Sequence, residues 1–327
     1  MTANTLDSIR ASLEPDIRQM TDRIARQLHT ANPMLQTIVG NCLKTRGKLI
    51  RPIVVLLMAR MLDRVTDAVI SGAGAIELLH NASLVHDDVV DQSRERRGQP
   101  TINAVWNNHV AVLVGDYFVS SALRMSIDTH SMKVVGIMST LGTSLSLGEL
   151  DQIYNAAHHT FSEDAYFQVI TGKTASLFKA CAHTAADSLG IDDERSAALV
   201  RFAELLGLCF QMRDDVFDYF TDPAVGKPTG NDLREGKITL PLIYALDRGR
   251  GTAEGDAMNA LARKECLSDA EIETLMAYAV SNGGIDYTYR RMNDLRRQGD
   301  ECLDIFPPSE TKTQLLTLFD FIISRNH

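Results

Sequence analysis

The chain has 327 residues, with 42 Asp and Glu against 33 Lys and Arg and a formal net charge of -9. Its 45% hydrophobic and 23% charged residues exclude a disordered, collagen-like or coiled-coil chain. The acid excess argues against non-specific binding to nucleic acid, whose phosphates reward clustered Lys and Arg.

At the N-terminus, Asp7, Arg10 and Glu14 interrupt the apolar run that a secretory signal would need. The five cysteines, Cys42, Cys181, Cys209, Cys266 and Cys302, are scattered and contain no CxxC pair, so they read as reduced, mostly buried thiols of a cytoplasmic protein. The apolar run from Ile53 to Ala59 stops at a charge well short of the roughly 20 residues that span a bilayer, so any membrane contact is expected to be peripheral.

No proline falls between Pro100 and Pro223, and apolar residues recur there at three- and four-residue spacing, which predicts a succession of helices. Between Leu199 and Phe220 apolar side chains cover much of a helix circumference, as expected of a central, buried helix. Breaks are expected at Gly190 to Asp193, Asp222 to Asp232, Gly249 to Gly255 and Pro307-Pro308. No strand alternation or dividing linker is evident, and the reading is one all-α domain over residues 1–327.

Two acidic pentads stand out, DDVVD at Asp87 to Asp91 and DDVFD at Asp214 to Asp218. On a helix the first and last aspartates of each share a face, one turn apart. Both pentads interrupt apolar context, and buried carboxylates must be neutralised. An oxygen-only donor set suits Mg²⁺, which takes one or two carboxylates together with substrate phosphates. Zinc is disfavoured, because no Cys or His pair near the pentads has ligand spacing. Basic residues accompany the acids: Lys48 and Arg51, Arg96 and Arg97, Lys173, Lys227 and Lys237. Metal together with these cations points to a polyphosphate ligand, although neither a P-loop nor GxGxxG is present.

In order along the chain stand GKLIRP, LVHDDVVDQSRERRGQPT, LVGDY, GELDQ, GKTA, FQMRDDVFDYF and GKPTGNDLREGKITLPLI. This series resembles the trans-isoprenyl diphosphate synthases, and more narrowly the long-chain, octaprenyl-like polyprenyl diphosphate synthases, closely over Thr45 to Leu246. The resemblance implies an isoprenoid-synthase helical bundle around a deep central cavity, usually a homodimer. It also implies Mg²⁺-dependent, head-to-tail condensation of isopentenyl diphosphate with an allylic diphosphate such as farnesyl diphosphate, serving quinone side chains.

Carried over by position, Lys48, Arg51, His80 and Arg97 would hold isopentenyl diphosphate. Arg96, Lys173, Thr174, Gln211, Lys227 and Lys237 would face the allylic diphosphate, with Lys173, Thr174 and Gln211 nearest the reacting centre. Asp87, Asp91 and Asp214 would ligate magnesium. Asp88, Asp215 and Asp218 would be secondary ligands or orienters, and Asp232 an outer carboxylate. Ionisation of an allylic C–O bond needs preorganised positive charge at the leaving group and no side-chain nucleophile.

In this family, side chains one turn above the first pentad set the depth available to the growing tail. Here they are the small Ala82 and Ser83, which implies an open tunnel and a long product. A short-chain farnesyl or geranylgeranyl diphosphate synthase, a terpene cyclase and a non-catalytic partner subunit remain as alternatives.

Overall fold

The computed structural model describes residues 5–44, 47–96, 98–220 and 229–324. Among them are sixteen α-helices, one π-helical turn and a two-residue hairpin. In chain order the first eight helices are α1 (Leu6–Gln27), α2 (Pro33–Lys44), α3 (Ile50–Leu62), α4 (Asp67–Val90), α5 (Ile102–Val105), α6 (Asn108–Ile127), α7 (Met132–Ala157) and α8 (Glu163–Ile170). The π turn, Thr171–Ala175, leads into α9 (Ser176–Ser188), α10 (Glu194–Phe217), α11 (Asn231–Arg234) and α12 (Leu240–Arg248). The last four are α13 (Ala253–Ala262), α14 (Asp269–Ser281), α15 (Gly284–Cys302) and α16 (Glu310–Ser324). The expected all-α class holds, and the breaks expected at Gly190 to Asp193 and at Pro307-Pro308 fall between helices; the one expected at Gly249 to Gly255 is shorter, because α13 starts at Ala253, and the one expected at Asp222 to Asp232 lies outside the described residues up to position 228, with α11 already begun at Asn231. The hairpin, β1 (Glu95–Arg96) with β2 (Gln99–Pro100), pairs Arg96 with Gln99; two residues per strand are too few to show alternation.

The chain falls into two compact units: Met1–Thr143 with Leu177–Ala203 and Leu303–Leu318, and Ser144–Ser176 with Glu204–Cys302 and Phe319–His327. In the first, α1 starts from a capping box between Thr5 and Ser8 and turns Ile9, Leu13 and Met20 inward. Nearly every side chain of α3 from Ile53 to Ala59 is fully buried. Thr66 caps α4, whose buried stretch alternates small residues with Ile76, Leu78 and Leu79 and so packs closely on its neighbours.

Helices α4 and α6 are long and apolar enough to cross a bilayer by length and composition. The apolar-run criterion missed them, because isolated polar residues break a run without lowering the average much. In α4, 72% of the most apolar window is buried inside the protein. Helix α6 instead leaves Val112, Leu113, Leu123 and Ile127 exposed.

In the second unit, α12 and α14 form an apolar cluster through Leu242, Leu246, Ile272, Leu275 and Ala279. Helix α10 is buried as expected from Leu199 onward, with Phe202 in the first unit and Leu205, Leu206, Cys209, Met212 and Val216 in the second. It ends at Phe217, and Phe220 lies beyond it, 49% exposed. None of the five cysteines forms a disulfide, but only Cys181 and Cys209 are buried; Cys42 and Cys302 are half-buried and Cys266 is exposed. "Mostly buried" therefore overstated what spacing alone can tell.

Candidate active site

The first pentad closes α4. Asp91 is the helix C-cap and its N–H donates to Asp87 O at 2.8 Å, so the two outer carboxylates remain one turn apart. Asp87 and Asp91 are half-buried, whereas Asp88 is only 6% exposed. Asp88 accepts from Arg96 Nε at 2.8 Å. Burial pushes its carboxyl up from the ordinary range, and the Arg96 charge opposes that rise.

The chain after the pentad is folded back by two side chains without a charge signature. Thr101 Oγ1 donates to Ser93 O at 2.8 Å, and Asn103 Nδ2 donates to Asp88 O at 3.1 Å and to Ser93 O at 3.0 Å. These turns place Arg96 against Asp88. Arg97 lies outside the described residues.

Earlier on α4, His80 is buried at 7% exposure, Ala82 is fully buried, and half-buried Ser83 donates its hydroxyl to His80 O at 2.9 Å. Lys48 is exposed just before α3, and Arg51 lies in the first turn of that helix with its guanidinium 5.5 Å from the Phe178 ring centroid. Leu49 between them has φ 53, a left-handed conformation costly for a non-glycine residue, and it is the N-cap of α3. That strained turn sets both cations at a helix N-terminus, where orphan N–H groups and the macrodipole favour anions.

In the second unit, a cavity of about 140 Å³ is lined by Tyr166, Lys173, Thr174, Gln211, Asp215, Asp232 and Lys237, among others. Six of those seven, all but Tyr166, were named from the sequence, and the seven converge from α8, the π turn, α10, α11 and the segment before α12. Lys227 lies outside the described residues.

The π turn carries Lys173 and Thr174 and packs on α7. A Cβ at Gly148 would stand 2.7 Å from Lys173 N and 3.0 Å from Gly172 C, so the GELDQ and GKTA segments meet through glycine backbone. Next in sequence, Glu149 forms an ion pair with the Lys173 ammonium. Lys237 is paired with Glu235, and its backbone N–H donates to Asp232 O at 2.7 Å.

The second pentad repeats the burial pattern of the first. Asp214 and Asp218 are half-buried and Asp215 is 4% exposed. Asp215 accepts from Tyr166 Oη at 2.6 Å and from Gln211 Nε2 at 2.8 Å, and Thr174 Oγ1 donates to Gln211 Oε1 at 2.6 Å. Asp218 caps α11, accepting the N–H groups of Asn231 at 3.0 Å and Asp232 at 2.9 Å. Gly230 just before it has φ +73, and a Cβ there would lie 2.4 Å from Ile272, which accounts for glycine in the GND turn.

Burial raises Asp215 to about 7; the bonds from Tyr166 and Gln211 oppose the rise, while Asp214 and Asp218 add to it. Asp232 is pushed well above the carboxylate range, by burial first and then by Asp215 and Asp218. Two buried carboxyls, one of them raised further by the other, create a demand for a proton or a cation.

Among the described residues, no three His, Cys, Asp or Glu side chains converge closely enough to hold an ion alone. The available donors are carboxylate oxygens, Asp87 with Asp91 and Asp214 beside the buried pair. That set fits a hydrated Mg²⁺ that takes one or two carboxylates and completes its shell from water and phosphate.

Sequence reasoning missed Tyr166, Glu149, Thr101 and Asn103. The detectable signal for Tyr166 was a polar-tipped aromatic among apolar residues shortly before the GKTA segment.

The profile described as Polyprenyl synthetase matches residues 32–279. The octaprenyl diphosphate synthase of Haemophilus influenzae is 33% identical over 99% of this chain and 98% of its own length. The structure of a polyprenyl synthase from Caulobacter crescentus, complexed with calcium and isoprenyl diphosphate, superposes with a TM-score of 0.91 at 30% identity, covering 100% of both chains. A geranylgeranyl pyrophosphate synthase from Bacteroides thetaiotaomicron superposes with a TM-score of 0.84 at 36% identity, covering 97% of this chain and 98% of that one.

An all-α protein with aspartate-rich helix ends, lysines held beside them and these relatives is an enzyme of the isoprenoid-synthase fold, a trans-prenyltransferase. The chain belongs to the polyprenyl synthetase family.

Proposed function

We propose that the chain condenses isopentenyl diphosphate with an allylic diphosphate such as farnesyl diphosphate, in a Mg²⁺-dependent reaction, to make a long all-trans polyprenyl diphosphate for quinone side chains. The observation that carries the long-chain reading is on α4. One turn before the first pentad stand fully buried Ala82 and half-buried Ser83, so neither of those two positions carries a large side chain. The octaprenyl relative supports the same reading. A shorter, geranylgeranyl-length product is the second reading, favoured by the Bacteroides thetaiotaomicron structure.

Asp87, Asp91 and Asp214 would hold the metal, which when bound supplies positive charge for the departing diphosphate. Asp88 and Asp218 orient, since one is bonded by Arg96 and the other by two backbone amides. Lys173 and Lys237 bind the allylic diphosphate in the second unit, exchanging Glu149 and Glu235 for phosphate oxygens. Arg96, fixed by Asp88 through Nε, offers its remaining nitrogens to the same class of ligand. Lys48, Arg51 and His80 bind isopentenyl diphosphate in the first unit.

Thr174 has spent its hydrogen on Gln211, so its oxygen presents lone pairs to the allylic carbon as the C–O bond ionises. The isopentenyl double bond then attacks that carbon, and the departing diphosphate takes the proton. Apolar Val169, Ile170 and Ile243 in the cavity wall exclude water from the cation.

We further propose a cytoplasmic homodimer whose contact is the apolar face of α6, and sedimentation velocity of Leu113→Asp, shifting the protein to monomer, tests it. The catalytic reading is tested by incubating purified protein with farnesyl and isopentenyl diphosphates and Mg²⁺ and sizing the products. Products longer than geranylgeranyl diphosphate are expected, with turnover lost in Asp87→Ala and Asp214→Ala. A geranylgeranyl-length limit overturns the long-chain reading, and near-normal turnover in either variant overturns the metal assignment.

A further inference from the structure

Gly115 lies in the second turn of α6, and its bare Cα lets the ring of His86, on α4, come up against the helix backbone. A Cβ at Gly115 would stand 2.5 Å from His86 Cδ2 and 2.8 Å from Cε1, so any larger residue would have to push the ring aside. The same approach brings His86 Nε2 to 3.3 Å from Val112 O and 3.5 Å from Asp116 Oδ1. A carbonyl oxygen only accepts, so Nε2 carries the hydrogen and donates it. Gly115 and Asp116 belong to the LVGDY segment.

His86 directly precedes the first pentad, so Asp87 sits between two side chains that are fastened to different parts of the first unit. On one side His86 is seated on α6; on the other, Asp88 accepts from Arg96 Nε at 2.8 Å and its carbonyl accepts from Asn103. Arg96 and Asn103 follow α4 in the chain, whereas His86 ties the end of α4 directly to another long helix. Successive side chains fan out by about 100° around a helix, so a fastening at each neighbour fixes the direction of the residue between them. A carboxylate carried about 5 Å from the helix axis moves by about 0.9 Å for every 10° of rotation. Mg²⁺ binds oxygen at about 2.0–2.1 Å and demands near-ideal octahedral geometry, so a rotation of that size is enough to spoil a ligand. Asp91, one turn on, moves with Asp87 because its N–H donates to Asp87 O.

We propose that His86 is a positioning residue for the first pentad: its ring, seated in the space that Gly115 leaves open and bonded to Val112 O, fixes the rotation of α4 against α6 and so aims Asp87 and Asp91. This assignment rests on the reading of those two aspartates as metal ligands.

The test is a Mn²⁺ titration followed through the electron paramagnetic resonance signal of the free ion, in an Asp214→Ala background that leaves the first pentad as the metal site. His86→Ala and Gly115→Ala are each expected to raise the Mn²⁺ Kd by about fivefold or more, toward the tenfold that outer partners of metal ligands contribute. In the double variant the Cβ at residue 115 has no ring to displace, so the loss should be no greater than that of the worse single variant. A contact that only packed the two helices would lower the thermal midpoint and leave Mn²⁺ affinity where it was. Should His86→Ala fail to fold by circular dichroism, His86→Phe, which keeps the ring and removes the donor, supplies the first readout and Gly115→Ala alone the second. A smaller rise in either single variant, or losses that multiply in the double variant, overturns the proposal while leaving the metal assignment intact. Mn²⁺ binding that is absent from the background protein, or that survives Asp87→Ala, overturns both.

Discussion

Arg96 Nε and Asp88 Oδ1 stand 2.8 Å apart, joining the segment after the first pentad to the buried middle of the pentad itself. One guanidinium can hold Asp88 through Nε and still direct its Nη groups elsewhere, which an ammonium cannot. Arg96→Lys is therefore expected to lower kcat/KM for the allylic substrate about tenfold even though the charge is kept. Steady-state kinetics checks it, and an unchanged kcat/KM would mean that Arg96 acts only as a point charge.

Glycines on one helix should respond oppositely to the same methyl group. Gly148→Ala puts a Cβ 2.7 Å from Lys173 N and is expected to cost about 1–3 kcal/mol and most of the activity by shifting the π turn. Gly142→Ala meets nothing within 4 Å and is expected to stabilise α7 by about 0.5–1 kcal/mol with activity retained. Thermal melts paired with activity assays separate the two outcomes.

The two small residues above the first pentad are not equivalent. Ala82 is fully buried, so Ala82→Phe should overpack the core and lower stability by about 1–3 kcal/mol. Ser83 is half-buried, and Ser83→Phe should fold and shorten the product by one or more isoprene units. Chromatographic sizing checks this; an unchanged product would remove Ser83 from the chain-length role.

Magnesium should stabilise the protein more in base than in acid. Asp215, raised to about 7, and Asp232, also raised, have folded values above their unfolded ones. Their contribution to stability is therefore present below the unfolded carboxylate value, about 3.9, and is lost as pH rises through about 7. Once both are ionised, a bound cation relieves their repulsion. The rise in Tm on adding Mg²⁺ should be larger at pH 8 than at pH 6 by differential scanning fluorimetry, and equal rises would exclude this coupling.

Helices and pentads were legible because they depend on local pattern: apolar spacing gave the buried helix from Leu199, and carboxylates in apolar surroundings announced their need for partners. Tyr166 was not legible, because its bond to Asp215 spans 49 residues and a tyrosine carries no charge signature. Glu149 looked like any acid on a helix, and its pairing with Lys173 depends on Gly148 allowing two backbones to touch. The burial of Asp88 and Asp215 also escaped the spacing argument, which treats the first and last aspartates as the informative pair. Those outer positions share a face, while the second aspartate of each pentad points about 100° away, toward the partners that hold it.

The π turn from Thr171 to Ala175 holds one residue more than a regular helical turn would. Deleting a single residue there would let the segment relax to the ordinary pitch and swing Lys173 and Thr174 by about 100° relative to α8. At this point in the chain, length is as stringent a requirement as residue identity: every side chain of the segment could be kept and the site still lost by a deletion of one.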